Sequence, residues 1–193
     1  MHPYSTDSKE RKIVPLCLAI VSILLAWLFN SLLGGLKIDL PWWIGPPGVF
    51  GLYVLFYDLF DKFLWKIFRK INVIKVPDLN GTWKGYVTSS FNEHAAKHEA
   101  NMKISQQWSE ISIALDTGNS RSHSLSAAII TKGPSSPVLT YEYLNEPKAN
   151  AKATMHTHRG TARLTIDVSS NSLEGEYYTG RDRTNFGTLK FQR

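Results

Sequence analysis

Leu79-Asn80-Gly81-Thr82-Trp83-Lys84-Gly85-Tyr86-Val87 is the stretch at which the chain changes character. Before it lie long apolar runs, and after it come short alternating segments broken by Gly, Pro, Asn and Ser. Successive side chains of a strand point to opposite faces, so Trp83, Gly85 and Val87 share one face and Thr82, Lys84, Tyr86 and Thr88 the other. The stretch reads as the first strand of a β domain that follows a membrane anchor. It divides the 193 residues into an anchor with a basic linker over 1–77 and a β domain over 78–193.

Charge supports that division. Residues 1–77 carry nine Lys and Arg against five acids, a net of +4, and the remaining thirteen and eleven leave the β half at +2. A nucleic-acid binder concentrates positive charge on its folded domain, whereas these basic residues cluster beside the apolar runs. That pattern points to anionic lipid headgroups and away from DNA or RNA. A single cysteine, Cys17, lies within an apolar run, which excludes an internal disulfide framework and a multi-cysteine metal site.

Residues 13–36 contain no charged side chain. As helix they extend ~36 Å, enough to cross a hydrocarbon core about 30 Å thick, and the run is too long for a signal-peptide core. A second apolar run over 40–57 is interrupted by Gly45-Pro46-Pro47-Gly48, so a second span is expected to start near Val49 and to extend to Phe68. Trp42 and Trp43 suit an interfacial belt, and Asp58 and Asp61 suit the headgroup level or a partner helix. Lys9, Arg11 and Lys12 precede the first span, and Lys62, Lys66, Arg69, Lys70 and Lys75 follow or end the second, with only Lys37 in the loop between. The positive-inside rule then places both termini in the cytoplasm.

The β half reads as eight strands, near 82–91, 99–107, 110–116, 123–132, 137–145, 154–168, 172–179 and 186–192. Turn chemistry such as Thr117-Gly118-Asn119 and Ser169-Ser170-Asn171-Ser172 separates them. The expected fold is all-β with two N-terminal transmembrane helices: an antiparallel, eight-stranded, up-and-down barrel, with a sandwich as competitor.

Gly81-x-Trp83 resembles the opening of lipocalin-like barrels, where the Trp plugs the closed end. The whole layout has a sharper likeness. Two spans, a basic linker, the opening Leu79-Asn80-Gly81-Thr82-Trp83-Lys84-Gly85, the closing Leu173-Glu174-Gly175-Glu176-Tyr177-Tyr178-Thr179-Gly180-Arg181, and Gly187-Thr188-Leu189 resemble the two-transmembrane, β-strand-rich effectors of bacterial CBASS antiphage systems. That resemblance implies a multi-pass receptor in the bacterial inner membrane. Its barrel would bind a cyclic dinucleotide made by a partner nucleotidyltransferase, and its helices would then disrupt the membrane and abort infection. Two helices per chain cannot enclose a pore, so this mechanism requires a homo-oligomer in contact with lipid.

No nucleophile elbow, phosphate-cradling Gly-Lys-Ser/Thr loop or metalloprotease motif occurs, so a receptor is favoured over an enzyme, with no catalytic residue, cofactor or metal assigned. His156 and His158 share a strand face but lack a third ligand by spacing. A cyclic dinucleotide needs cations for two phosphates and flat or hydrogen-bonding surfaces for two bases. Arg181 and Tyr178, in the last hairpin, are the first candidates, followed by Arg183, Tyr141, Tyr143 and Arg121. Two other readings remain: a membrane-tethered carrier of a lipid or other apolar molecule, and a scaffold whose β domain binds only protein.

Overall fold

The alternation that starts at Trp83 continues around a closed sheet. The computed structural model describes residues 1–36, 48–133, 136–149, 151, 155–180 and 184–193. Its strands are β1 (His2–Thr6), β2 (Gly81–Val87), β3 (His98–Gln106), β4 (Glu110–Thr117), β5 (Ser120–Ile130), β6 (Val138–Pro147), β7 (His158–Asp167), β8 (Ser172–Thr179) and β9 (Phe186–Gln192). Strands β2 to β9 follow one another as antiparallel neighbours, and β9 pairs back with β2. Closure removes the free sheet edges that a sandwich would keep.

The expected count of eight strands is corrected to nine. Next to the mouth, β4 and β5 pair directly over Ala114–Asp116 with Arg121–His123. Beyond that, a bulge between Ser124 and Ser126 turns β5 away. The opened seam is filled by β1, which runs antiparallel to β4 at His2 and Pro3 and parallel to β5 at Tyr4, Ser5 and Thr6. Where the direct ladder ends, the Ile113 N–H donates to Ser124 Oγ at 3.0 Å, and His2 Nε2 meets the same oxygen at 2.7 Å. Five residues containing Pro3 and no apolar alternation gave no strand signal, because only Tyr4 among them is buried.

Inward positions sort into two zones. Toward one end Trp83, Met102, Ile104, Trp108, Ile111, Ile113, Leu139, Leu164, Ile166, Leu173 and Phe191 are all buried and fill the barrel. Trp83 plugs this closed end: its indole N–H donates to the Leu79 carbonyl at 2.9 Å, and the Arg193 guanidinium lies 4.8 Å from its ring. Gly81 enters the strand at φ 131°, a backbone geometry that side chains disfavour. Buried Gln106 is satisfied on both faces of its amide. Its Oε1 accepts from the Leu79 N–H at 2.8 Å, and its Nε2 donates to the Pro77 carbonyl at 3.1 Å and to the Tyr4 hydroxyl at 3.3 Å. One side chain thus ties the incoming chain, β3 and β1 together.

The chain divides into two compact units, residues 1–8 with 75–193 and residues 9–74, so the first eight residues join the barrel that they precede in sequence by more than sixty. In the second unit α1 (Glu10–Gly35) has a mean hydropathy of 2.4 over its spanning window, and among the described residues it is the one helix long and apolar enough to cross a bilayer. It packs along α2 (Val49–Leu59), which has 11 residues and continues through a π-helical turn (Phe60–Leu64) into α3 (Trp65–Lys70). The second apolar segment is therefore helical from residue 49 to residue 70 but is not one regular α-helix. Asp58, expected at the headgroup level or a partner helix, pairs with Lys62 one turn on at 2.7 Å. Lys37, Trp42, Trp43 and the Gly45–Gly48 break lie outside the described residues, apart from Gly48 itself.

Candidate functional site

The end of the barrel opposite Trp83 is open. Here the inward positions change from branched apolar residues to small and polar ones: Ser120 and Ser122 on β5, Tyr141, Tyr143 and Asn145 on β6, and Tyr177 and Thr179 on β8. They line a cavity of about 720 Å³, within the range of ~300–1,000 Å³ usual for small-molecule sites. Leu115 and Leu189 supply apolar wall, and Asn101, Asn119 and Asn185 add amide edges at the rim. Hydroxyls and amides thus interrupt a wall that is otherwise mostly apolar, which suits a ligand with flat apolar faces and polar edges.

Tyr141 and Tyr143 point inward from one strand, their ring centres 6.1 Å apart and their planes at 53°. Burial raises the Tyr141 phenol well above its ordinary pKa, so it stays a neutral hydroxyl. Tyr143 has room because Gly160, its partner on β7, has no side chain; a Cβ there would run into the Tyr143 phenol and the Tyr178 carbonyl. These two sequence candidates are brought into the cavity together.

Two of the other four, Tyr178 and Arg121, are not part of the described wall. Tyr178 is corrected: it is 53% exposed on the outer face, its hydroxyl donating to Glu176 at 2.7 Å, while its neighbour Tyr177 faces inward. The physical reason is strand parity, since buried Leu173 and exposed Glu174 and Glu176 assign odd positions of β8 to the interior. Arg121 is corrected likewise: it is outward, beside the mouth but absent from the cavity wall, and bound to Asp116 at 3.0 Å. Arg181 and Arg183 lie outside the described residues, between Thr179 and Asn185, both of which line the cavity.

The described cations of the wall are instead two lysines, joined by His98 and His158. The Lys97 ammonium sits 4.6 Å from the centre of the Tyr86 ring. Lys148, just past the end of β6, has its backbone N–H on the Asn119 carbonyl at 2.9 Å and its ammonium on Asp116 Oδ1 and the Thr117 carbonyl, each at 2.6 Å. That ammonium holds the Asp116 carboxyl below the usual carboxylate range against a smaller opposing effect of burial, and Arg121 adds to the lowering. Sequence reading missed Lys148 because a lysine after a proline in a polar loop looks like any solvated lysine. His158, noted with His156 as a pair lacking a third metal ligand, reaches the cavity wall with its Nδ1 at 2.8 Å from the His156 carbonyl.

Two family models divide the chain along the same lines as the two units. Residues 74–193 match the Cap15 cyclic dinucleotide receptor domain. The chain belongs to the Cap15 family. Residues 12–66 match the Cap15 transmembrane helices, so the family's membrane segment is present as well. Among curated relatives, CD-NTase-associated protein 15 of Yersinia aleksiciae is 34% identical over 145 residues, covering 74% of this chain and 68% of the relative. CD-NTase-associated protein 15 of Staphylococcus schleiferi is 31% identical over 136 residues, covering 69% and 70%. The likeness to CBASS effectors noted on residues 79–85, 173–181 and 187–189 is thus one of family, and this Cap15 chain is a membrane-associated CBASS effector with a receptor barrel.

Proposed function

We propose that the mouth cavity of this Cap15 barrel takes a cyclic dinucleotide, and that binding makes the membrane helices assemble and disrupt the bacterial inner membrane. One observation carries the reading: a tyrosine-bearing cavity of about 720 Å³, edged by hydroxyls and amides, opens at the far end of the domain that matches the receptor model. Tyr141, Tyr143 and Tyr177 are the base platforms, with Asn145, Ser120 and Ser122 as hydrogen-bonding edges. Lys148, Arg181 and Arg183 neutralise phosphate. The messenger comes from a partner nucleotidyltransferase, as the relatives' name, CD-NTase-associated, suggests. The chain itself acts as receptor and effector, without catalysis or a cofactor.

We further propose two crossings with both termini cytoplasmic, residues 9–74 forming the anchor. Strand pairing supports an even number. Because β1 and β2–β9 share one barrel, the chain leaves that barrel after Ser8 and returns to it at Lys75, which supports an equal number of outward and return crossings. A return crossing by the helical segment from 49 to 70, ~33 Å long at 1.5 Å per residue, fits that connectivity. The basic residues that flank both segments support a cytoplasmic barrel.

Reconstitution of the full chain in dye-loaded vesicles tests the mechanism. Release should require a cyclic dinucleotide and rise more steeply than linearly with protein density, as an oligomer demands. Ligand binding without release, or release proportional to monomer density, overturns the membrane step.

A further inference from the structure

Both described lysines of the cavity wall are engaged, Lys97 by the Tyr86 ring and Lys148 by Asp116. The described wall also carries two acids, Glu99 and Asp116, so its lysines and carboxylates balance. Among the described residues of the wall, a dianionic ligand therefore finds no surplus lysine unless one of these cations changes partner. Lys148 is placed to do so. Its backbone is fixed to Asn119, while its side chain is one-third exposed and ends in a flexible four-carbon stem.

Resting on the reading of the cavity as a cyclic dinucleotide site, we infer that Asp116 is a built-in stand-in for the ligand's phosphate. It holds Lys148 while the mouth is empty and yields it when a phosphate enters, so that Asp116 sets the affinity threshold of the site. The division of its carboxylate makes the exchange cheap. Oδ1 faces Lys148 at 2.6 Å, whereas Oδ2 faces Arg121 at 3.0 Å on the outer side of the sheet. When Lys148 moves to phosphate, Asp116 keeps Arg121 and no carboxylate is left without a cation. Both members of the pair are partly exposed, 32% for the Lys148 side chain and 40% for that of Asp116, so separating them lacks the penalty of a buried pair. The mouth in this way discriminates by charge: a ligand without phosphate cannot compete with the carboxylate that is already there.

The test is equilibrium binding by the full chain in detergent, with a panel of cyclic dinucleotides and with inorganic phosphate and linear dinucleotides as controls. Asp116→Asn keeps the shape, frees Lys148 and removes a repelling charge, and should tighten binding of the preferred cyclic dinucleotide about three- to five-fold. Lys148→Met should weaken it and flatten its salt dependence. Most of the Asp116→Asn gain should be lost when Lys148→Met is the background, because only the removed repulsion then remains; an undiminished gain there would overturn the role of that lysine. If the parent binds and Asp116→Asn binds equally or more weakly, the stand-in role is overturned while the receptor reading survives. If Asp116→Asn fails to fold, Lys148→Met decides, unchanged affinity overturning the inference. If the folded parent binds no cyclic dinucleotide, the receptor reading falls and takes this inference with it.

Discussion

The two ends of the barrel are built from one strand pattern but filled oppositely. At the closed end the inward positions carry Trp83, Trp108, Met102, Ile104 and Phe191, and the polar groups that remain there are satisfied by Gln106. At the mouth the same inward rows carry Ser120, Ser122, Asn145 and Thr179 around three tyrosines. The same β6 that contributes buried Leu139 at one end presents Asn145 at the other. A barrel divided this way keeps its stability at one end and its recognition at the other, and substitutions at the two ends should separate cleanly.

The largest effect is expected at the plug. Trp83→Ala removes a buried aromatic and its hydrogen bond to Leu79, and should cost about 3–5 kcal/mol in urea unfolding of the full chain. A cost below 1 kcal/mol would mean that the closed end does not carry the fold. At the mouth, Tyr177→Ala should weaken cyclic dinucleotide binding by roughly 5- to 150-fold, the range of one base stack of about 1–3 kcal/mol, while Tyr178→Ala leaves it unchanged. The reverse order would show that the interior of β8 has been assigned to the wrong face. Next, Gln106→Met strands the Leu79 N–H and should cost about 1–3 kcal/mol of stability with no change in ligand affinity. A change in affinity there would break the separation of the two ends.

The smallest effect concerns the seam. The carboxylate of Asp7, just after β1, accepts from the Thr131 N–H and hydroxyl and from the Lys132 N–H at 2.7 to 2.8 Å, pinning β1 to the end of β5. Burial works against ionisation of Asp7, but these donors outweigh it, and its pKa lies below the usual carboxylate value. A lowered folded pKa contributes stability that is present above the unfolded value, near 3.9, and is lost as pH falls through the folded one. Asp7→Asn should therefore lower stability at pH 6 and lose less on acidification below about pH 4 than the parent. Parallel pH curves for the two proteins would show that this clamp is idle.

Much of the barrel was legible in the sequence. The strands over 110–117, 172–179 and 186–192 lie within a residue of their expected limits, because Ile111, Ile113 and Leu115, or Leu189 and Phe191, alternate with polar residues under turn signals. The ninth strand was not legible: His2–Thr6 pairs with partners more than a hundred residues away and has a single buried apolar side chain to announce it. Tyr141 and Tyr143, chosen by residue type alone, line the cavity, and the same habit selected the outward Tyr178. Parity would have chosen Tyr177, since Leu173 lies an even number of positions away and Glu174 and Glu176 mark the outer face. Lys148 was beyond reach, because its importance lies in meeting Asp116 across 32 residues and in a backbone bond to Asn119.

The central claim, that the mouth is the receptor site, is tested most directly by thermal denaturation of the full chain in detergent against a panel of cyclic dinucleotides, with Tyr143→Ala beside the parent. One cyclic dinucleotide should stabilise the parent, by about 2.7 kcal/mol at a hundred times its dissociation constant, and should lose most of that effect in Tyr143→Ala. No stabilisation of the folded parent by any cyclic dinucleotide, or an equal shift in both proteins, would contradict it.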